Sequence, residues 1–313
     1  MSGPEMRAAG SGPTPSTMVE MAAKRGAIED GRGRAASALG FLRTIARNRP
    51  AAVGLCALTV LGLVAIFAPY IAPFDWKDQD IINRFQGSSR EHWFGTDELG
   101  RDIMSRIIYG ARYSLTMGVF AVALSFVIGT LLGAIAGFYT KLDSVIMRLI
   151  DILMAFPGIL LAIAIVAALG PGMLNIVIAI GINEIPGFCR ITRSLVLSLR
   201  EREYVAASRV IGASNVHIVR KHILINLISP ITVYASLQVS TAVLVGATLS
   251  FLGLGIQPPT PEWGAMVSTA REYLAIAPHT FVYPTLAILV TVISFNLVGD
   301  VLRDALDPTS RNR

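Results

Sequence analysis

Few residues in this chain have the type and spacing for covalent chemistry. Glu184 stands two positions before the helix-breaking Pro186 in an otherwise apolar run, where an ionisable group is expensive unless it faces a cavity or a partner. Arg148 and Asp151, at i and i+3, can pair on one helix face and so lower the cost of lying near a span. Cys56 and Cys189 lie in or beside apolar runs and read as small hydrophobes, with no disulfide framework and no metal site. The histidines, His92, His217, His222 and His279, are scattered through the chain. No HExxH, no GxSxG and no GxxxxGK(S/T) occurs, so neither metalloprotease, nor nucleophile elbow, nor phosphate-binding loop is indicated. An intramembrane hydrolase built on Glu184 or Asp151 would need a second convergent group or a metal, and no such set is visible. The expectation is no catalytic residue, no metal ligand, and Glu184 as a candidate pathway residue.

The elements that must position these residues are membrane spans. Apolar residues make up 53% of the chain and charged residues only 15%, which marks a membrane protein. Ala51 to Ile71 has the length to cross a hydrocarbon core of roughly 30 Å. Further runs follow at Leu115 to Phe138, Val145 to Leu169, Leu227 to Leu252 and Phe281 to Leu302. A shorter one, Leu174 to about Phe188, resumes after Arg190 and reads as one span kinked at Pro186. The fold class is therefore an all-α membrane protein with six transmembrane helices. Six spans put both termini on one side, and that arrangement gathers 20 of the 27 Lys and Arg residues with the termini. The positive-inside rule then makes the termini cytoplasmic. The net charge of +6 is spent on this flanking pattern, which argues for a lipid bilayer and against nucleic acid. Residues 1–40, rich in Gly, Ala, Ser and Pro, are expected to form a disordered cytoplasmic tail, and no apolar core before Ala51 suggests a signal peptide. Phe41 to Arg49 is a basic lead-in, the membrane domain spans 41–308, and 309–313 form a short cytoplasmic tail.

Gly129, Gly133 and Gly137, spaced by four, open one face of the second span to close helix approach. This suggests close helix contacts and, from them, a core of two membrane chains. Between the first two spans, HWFGTDELGRDIMSRIIYGARYSL, His92 to Leu115, has the density of Gly, Asp and Arg that predicts tight turns and local ion pairs. FLGLGIQPPTPEWGAM, Phe251 to Met266, places Trp263 at the outer edge as an interfacial anchor.

Glu201 to Asn226, EREYVAASRVIGASNVHIVRKHILIN, is a polar island between apolar runs and must be a loop outside the membrane. Glu203 to Ile211 has good helix formers, Gly212 can take the left-handed conformation that ends a helix, and Ser214 can cap the next. Val216, Val219 and Ile223 are expected on one face. The knuckle resembles the EAA loop of ABC importer permeases, Glu-Ala-Ala, three residues, then Gly. Ala206, Ala207, Ser208 and Gly212 occupy those positions, with Leu224 and Ile225 at the later Leu-Pro. Ala206 for Glu, Ser208 for Ala and Ile225 for Pro depart from the pattern and leave open which residues touch an ATPase.

The resemblance sharpens in four further segments. MRLIDILMAFPGILLAI from Met147, the two outer segments, and NLVGDVLRDALDP from Asn296 are similar to the dipeptide and oligopeptide permease family, C-type subunit. The likeness runs from about Phe41 to Pro308. It implies the type I permease fold of ABC importers in the inner membrane, a heterodimer with a B-type permease, two cytoplasmic ATPase subunits and a periplasmic solute-binding protein. It implies that this chain binds no cofactor, with ATP used by the partner ATPases, and that Ala206, Ala207, Ser208, Arg209, Gly212, Ala213 and Ser214 couple to them. The implied cargo is a short peptide, and glutathione and nickel, carried by related permeases, stay as alternatives. A secondary transporter would show interrupted helices in both halves, and only one kinked span is found.

Overall fold

The computed structural model describes residues 49–306, with side chains to residue 303. The expected tails and most of the basic lead-in lie outside these residues. The architecture is helical throughout. Helix α1 covers Arg49–Ile71, α2 Ile103–Phe138, α3 Thr140–Met154, α4 Gly158–Leu169 and α5 Met173–Arg200. The short α6, Glu203–Val210, and α7, Asn215–Ile218, lead through a π-turn, Val219–Ile223, into α8, Leu224–Phe251. Helix α9, Trp263–Ala270, and α10, His279–Leu306, complete the described chain.

Five helices are long and apolar enough to cross a membrane among the described residues, and a sixth crossing is reached only by counting α3 and α4 together. Those two meet at 88°. The run Val145 to Leu169, expected as one span, is thus broken at 155–157. Pro157 disfavours helical geometry at the preceding Phe156 and withholds a backbone donor, and its own ψ of 128° sits outside the helix. By contrast, the helix expected to kink at Pro186 continues unbroken from Met173 to Arg200. A proline is tolerated in a membrane helix where neighbours satisfy the freed groups.

Helix α2 is 36 residues long, or about 54 Å at the α-helical rise, well beyond the expected Leu115 to Phe138. Its first turns belong to the loop that precedes it. The Asp102 side chain accepts from Ser105 N and caps the helix, while Asp102 Oδ1 also meets His92 Nδ1 at 3.0 Å. Arg101 bridges Asp97 at 2.7 Å and Glu98 at 2.5 Å, and Gly95 and Gly100 take positive φ. The predicted tight turns and local ion pairs are present. The 251–266 segment differs from expectation. Trp263 is fully buried and donates to the Ile107 carbonyl at 3.1 Å, so it is a core residue and no interfacial anchor. Glu262, also fully buried, caps α9 through Gly264 N and Ala265 N and accepts from Ser114 Oγ.

The core forms where α2 packs on α5 and α8. A Cβ at Gly129, Gly133 or Gly137 would lie 2.5 Å from Phe188 Cβ, 2.4 Å from the Cys189 carbonyl or 2.7 Å from Val196 Cβ respectively. The glycine face is therefore a packing seam, as expected, but it is filled within this chain and offers nothing to a second permease. Phe188 stacks edge-on between Phe126 and Tyr234, joining α2, α5 and α8.

Candidate functional site

The knuckle is built as its residue types dictate. Helix α6 ends where Gly212 takes φ +84°, a conformation costly for a residue with a Cβ. Nothing lies within 4 Å of a Cβ placed there, so the backbone alone demands glycine. The Ser214 hydroxyl accepts from His217 N at 3.3 Å and caps α7. Ser208 Oγ donates to the Tyr204 carbonyl at 2.8 Å and lies 3.3 Å from His222 Nε2, which ties the two arms together.

Of the residues expected to couple, Ala206, Ala207, Arg209, Gly212 and Ser214 are exposed, Ala213 is half-buried and Ser208 is buried. Ser208 braces the knuckle from inside. Arg209 lies over the Phe138 ring at 5.8 Å, at the end of α2. The residues that sequence reasoning missed are Val210 and Ile211, 88% and 83% exposed at the tip. Two bare aliphatic side chains immediately before the glycine were the available signal.

The face expected for the second arm is also corrected. Ile218 and Ile223 are fully buried while Val216 is exposed. The π-turn explains this: it adds a residue to one turn, so the buried positions run Ile218, Ile223, Leu227, Ile231, spaced first by five and then by four.

Elsewhere the polar residues pair differently from their sequence spacing. Asp151 bonds Arg190 Nη2 at 2.6 Å, across from α3 to α5, and its expected pairing with Arg148 is not formed. Asp143 takes Arg193 in a two-pronged contact at 2.6 and 2.7 Å. Both contacts run from α3 to α5, and the two-pronged one has the geometry in which a guanidinium binds a carboxylate most strongly. Glu184 is 7% exposed and accepts from the Gln238 amide of α8. It is separate from the knuckle, and no catalytic constellation forms around it among the described residues.

Long apolar helices, joined by polar helix-to-helix contacts and carrying a braced knuckle at one end, define a multi-pass membrane protein. Solved structures described as inward-facing conformations of the MetNI methionine ABC transporter share its fold. In two crystal forms the TM-scores are 0.54 and 0.52 at 19% and 20% identity, over 66% of this chain and 98% of theirs. The chain belongs to the binding-protein-dependent transport system inner membrane component family, which matches residues 129–312, while residues 40–87 match the N-terminal TM domain of oligopeptide transport permease C. Among curated relatives, the dipeptide transport system permease protein DppC of Alkalihalophilus pseudofirmus is 49% identical over 86% of this chain and 89% of its own. The glutathione transport system permease protein GsiD of Escherichia coli O157:H7 is 50% identical over the same shares.

Proposed function

We propose that this chain is one permease subunit of an ATP-driven importer of short peptides in the inner membrane, with the termini and the knuckle in the cytoplasm. The observation that carries the proposal is the knuckle's tip. Val210 and Ile211 stand exposed beside the left-handed Gly212 on a surface that the positive-inside pattern assigns to the cytoplasm, and exposed apolar groups in such a place mark a docking surface. Two ATPase subunits supply the occupants, a B-type permease supplies the second half of the passage, and a periplasmic binding protein delivers solute. This chain holds no cofactor of its own, and ATP acts at the partners.

In the mechanism, closure of the ATPases moves the knuckle and rocks α5 and α8 between inward- and outward-facing arrangements. Glu184 accepts from Gln238 and so joins those two helices, which supports the reading of the carboxylate as part of the pathway's moving wall. The relatives named for dipeptides and glutathione support a peptide cargo, and glutathione is the favoured second reading because its backbone is itself peptidic.

The test is uptake of radiolabelled dipeptide and glutathione into vesicles containing the complete complex. Uptake that needs the ATPase subunits and is competed by peptides is expected. Uptake that survives their removal overturns the ABC assignment. A binding protein that takes nickel and no peptide overturns the cargo alone.

A further inference from the structure

A cavity of about 120 Å³ opens between the knuckle end of α2 and the second arm of the knuckle. Its walls are apolar except at one rim: Leu131, Ala134 and Ile135 from α2, with Tyr139 just past its end, face Val219 and Arg220 of the π-turn. From Leu131 to Tyr139 the helix rises about 12 Å. An apolar slot that starts on the exposed face of a span and ends beside a tyrosine and an arginine matches the depth profile of one bilayer leaflet. In the proposed orientation Leu131 falls toward the hydrocarbon, Tyr139 toward the headgroups and Arg220 toward the phosphates. The π-turn sets Arg220 next to Lys221, and Lys141 follows Tyr139 by two residues. All three are exposed, and Arg220 is the charged residue that lines the slot.

We infer that this slot binds an anionic phospholipid of the cytoplasmic leaflet, with an acyl chain along Leu131, Ala134 and Ile135 and the phosphate on Arg220. Basic pockets at that face of a membrane protein suit such headgroups. The inference rests on the proposed orientation, because the opposite orientation would put the slot in the other leaflet. It sets the bound lipid against the second arm of the knuckle, which follows Gly212.

The complete complex, purified in detergent and reconstituted into nanodiscs of phosphatidylcholine with or without phosphatidylglycerol, tests this. Native mass spectrometry reads the retained lipid. Wild type should keep phosphatidylglycerol preferentially. Arg220→Gln should lower that retention severalfold, and Leu131→Trp, which fills the slot from an exposed position on α2, should lower it for both lipids. ATPase activity should rise with phosphatidylglycerol in wild type and lose that response in both variants. Equal retention in wild type and both variants overturns the inference. So does protection of Leu131→Cys from a lipid-soluble maleimide that persists after the assembled complex is stripped of lipid, which would show a protein chain in the slot. Lipid retention is measured without transport, so failure of the peptide-import reading leaves its own mark: no uptake in any lipid with the lipid preference intact.

Discussion

At Gly212 the turn depends on a left-handed backbone with free space around it. Gly212→Val therefore strains the turn by about 1–2 kcal/mol without displacing a neighbour. Membrane abundance should stay near wild type while uptake falls, and normal uptake at normal abundance would remove the docking role. Ile211→Asp places a charge on the bare tip and should reduce co-purification of the ATPases with no loss of folded permease. Glu184 makes a different demand. Gln238→Leu strips a buried carboxylate of its donor, a loss of about 1–3 kcal/mol, and should lower the melting temperature, whereas Glu184→Gln keeps an amide partner and should cost less. Equal destabilisation by both would show that the contact with Gln238 is not what holds the group. Gly212 and Ser214 were legible in sequence because a local backbone rule governs each. Glu184's partner was not, since Gln238 lies 54 residues away and no local pattern links them.

At the scale of helices, α3 is held to α5 by two ion pairs, Asp143 with Arg193 and Asp151 with Arg190. The first is two-pronged and partly buried, the second open to its surroundings. Exchanging the charges, as Asp143→Arg with Arg193→Asp, should recover much of the folded protein lost in either single variant. A double variant no better than the singles would deny the pairing. The seam between α2 and α5 tolerates less. Gly133→Leu must push against the Cys189 carbonyl, so folded yield should collapse in a fluorescence size-exclusion assay, and a normal elution profile would contradict the packing. The glycine spacing was readable because i, i+4 repeats stay on one face. The buried face after Ser214 was misread because a π-turn changes the period, and nothing in VRKHI announces the extra residue. The break before α4 was equally hidden: Pro157 and Pro186 have the same chemistry, and only packing decides which of them interrupts a helix.

For the whole molecule, the helical membrane class and five of the expected spans were legible from hydropathy, while the sixth depends on counting α3 and α4 together across an 88° turn that hydropathy does not announce. The glycine seam is filled internally, so the proposed second permease has to use other surfaces. Helices α1 and α10 have only 17% of their apolar windows buried within the chain. Co-expression of two differently tagged copies should yield complexes bearing one tag each, and frequent double-tagged complexes would favour a homodimer over the proposed heterodimer.

The length of α2 carries one more consequence. Its first turn is anchored in the Asp97, Asp102 and Arg106 lattice, and its last lies against Arg200 and Arg209, where Arg200 bonds the Gly137 carbonyl at 3.2 Å and Arg209 covers Phe138. One unbroken rod thus touches both ends of the protein. A load applied at the Asp97 and Asp102 end reaches the knuckle as a displacement of a stiff shaft, with no break in the helix between the two to absorb it.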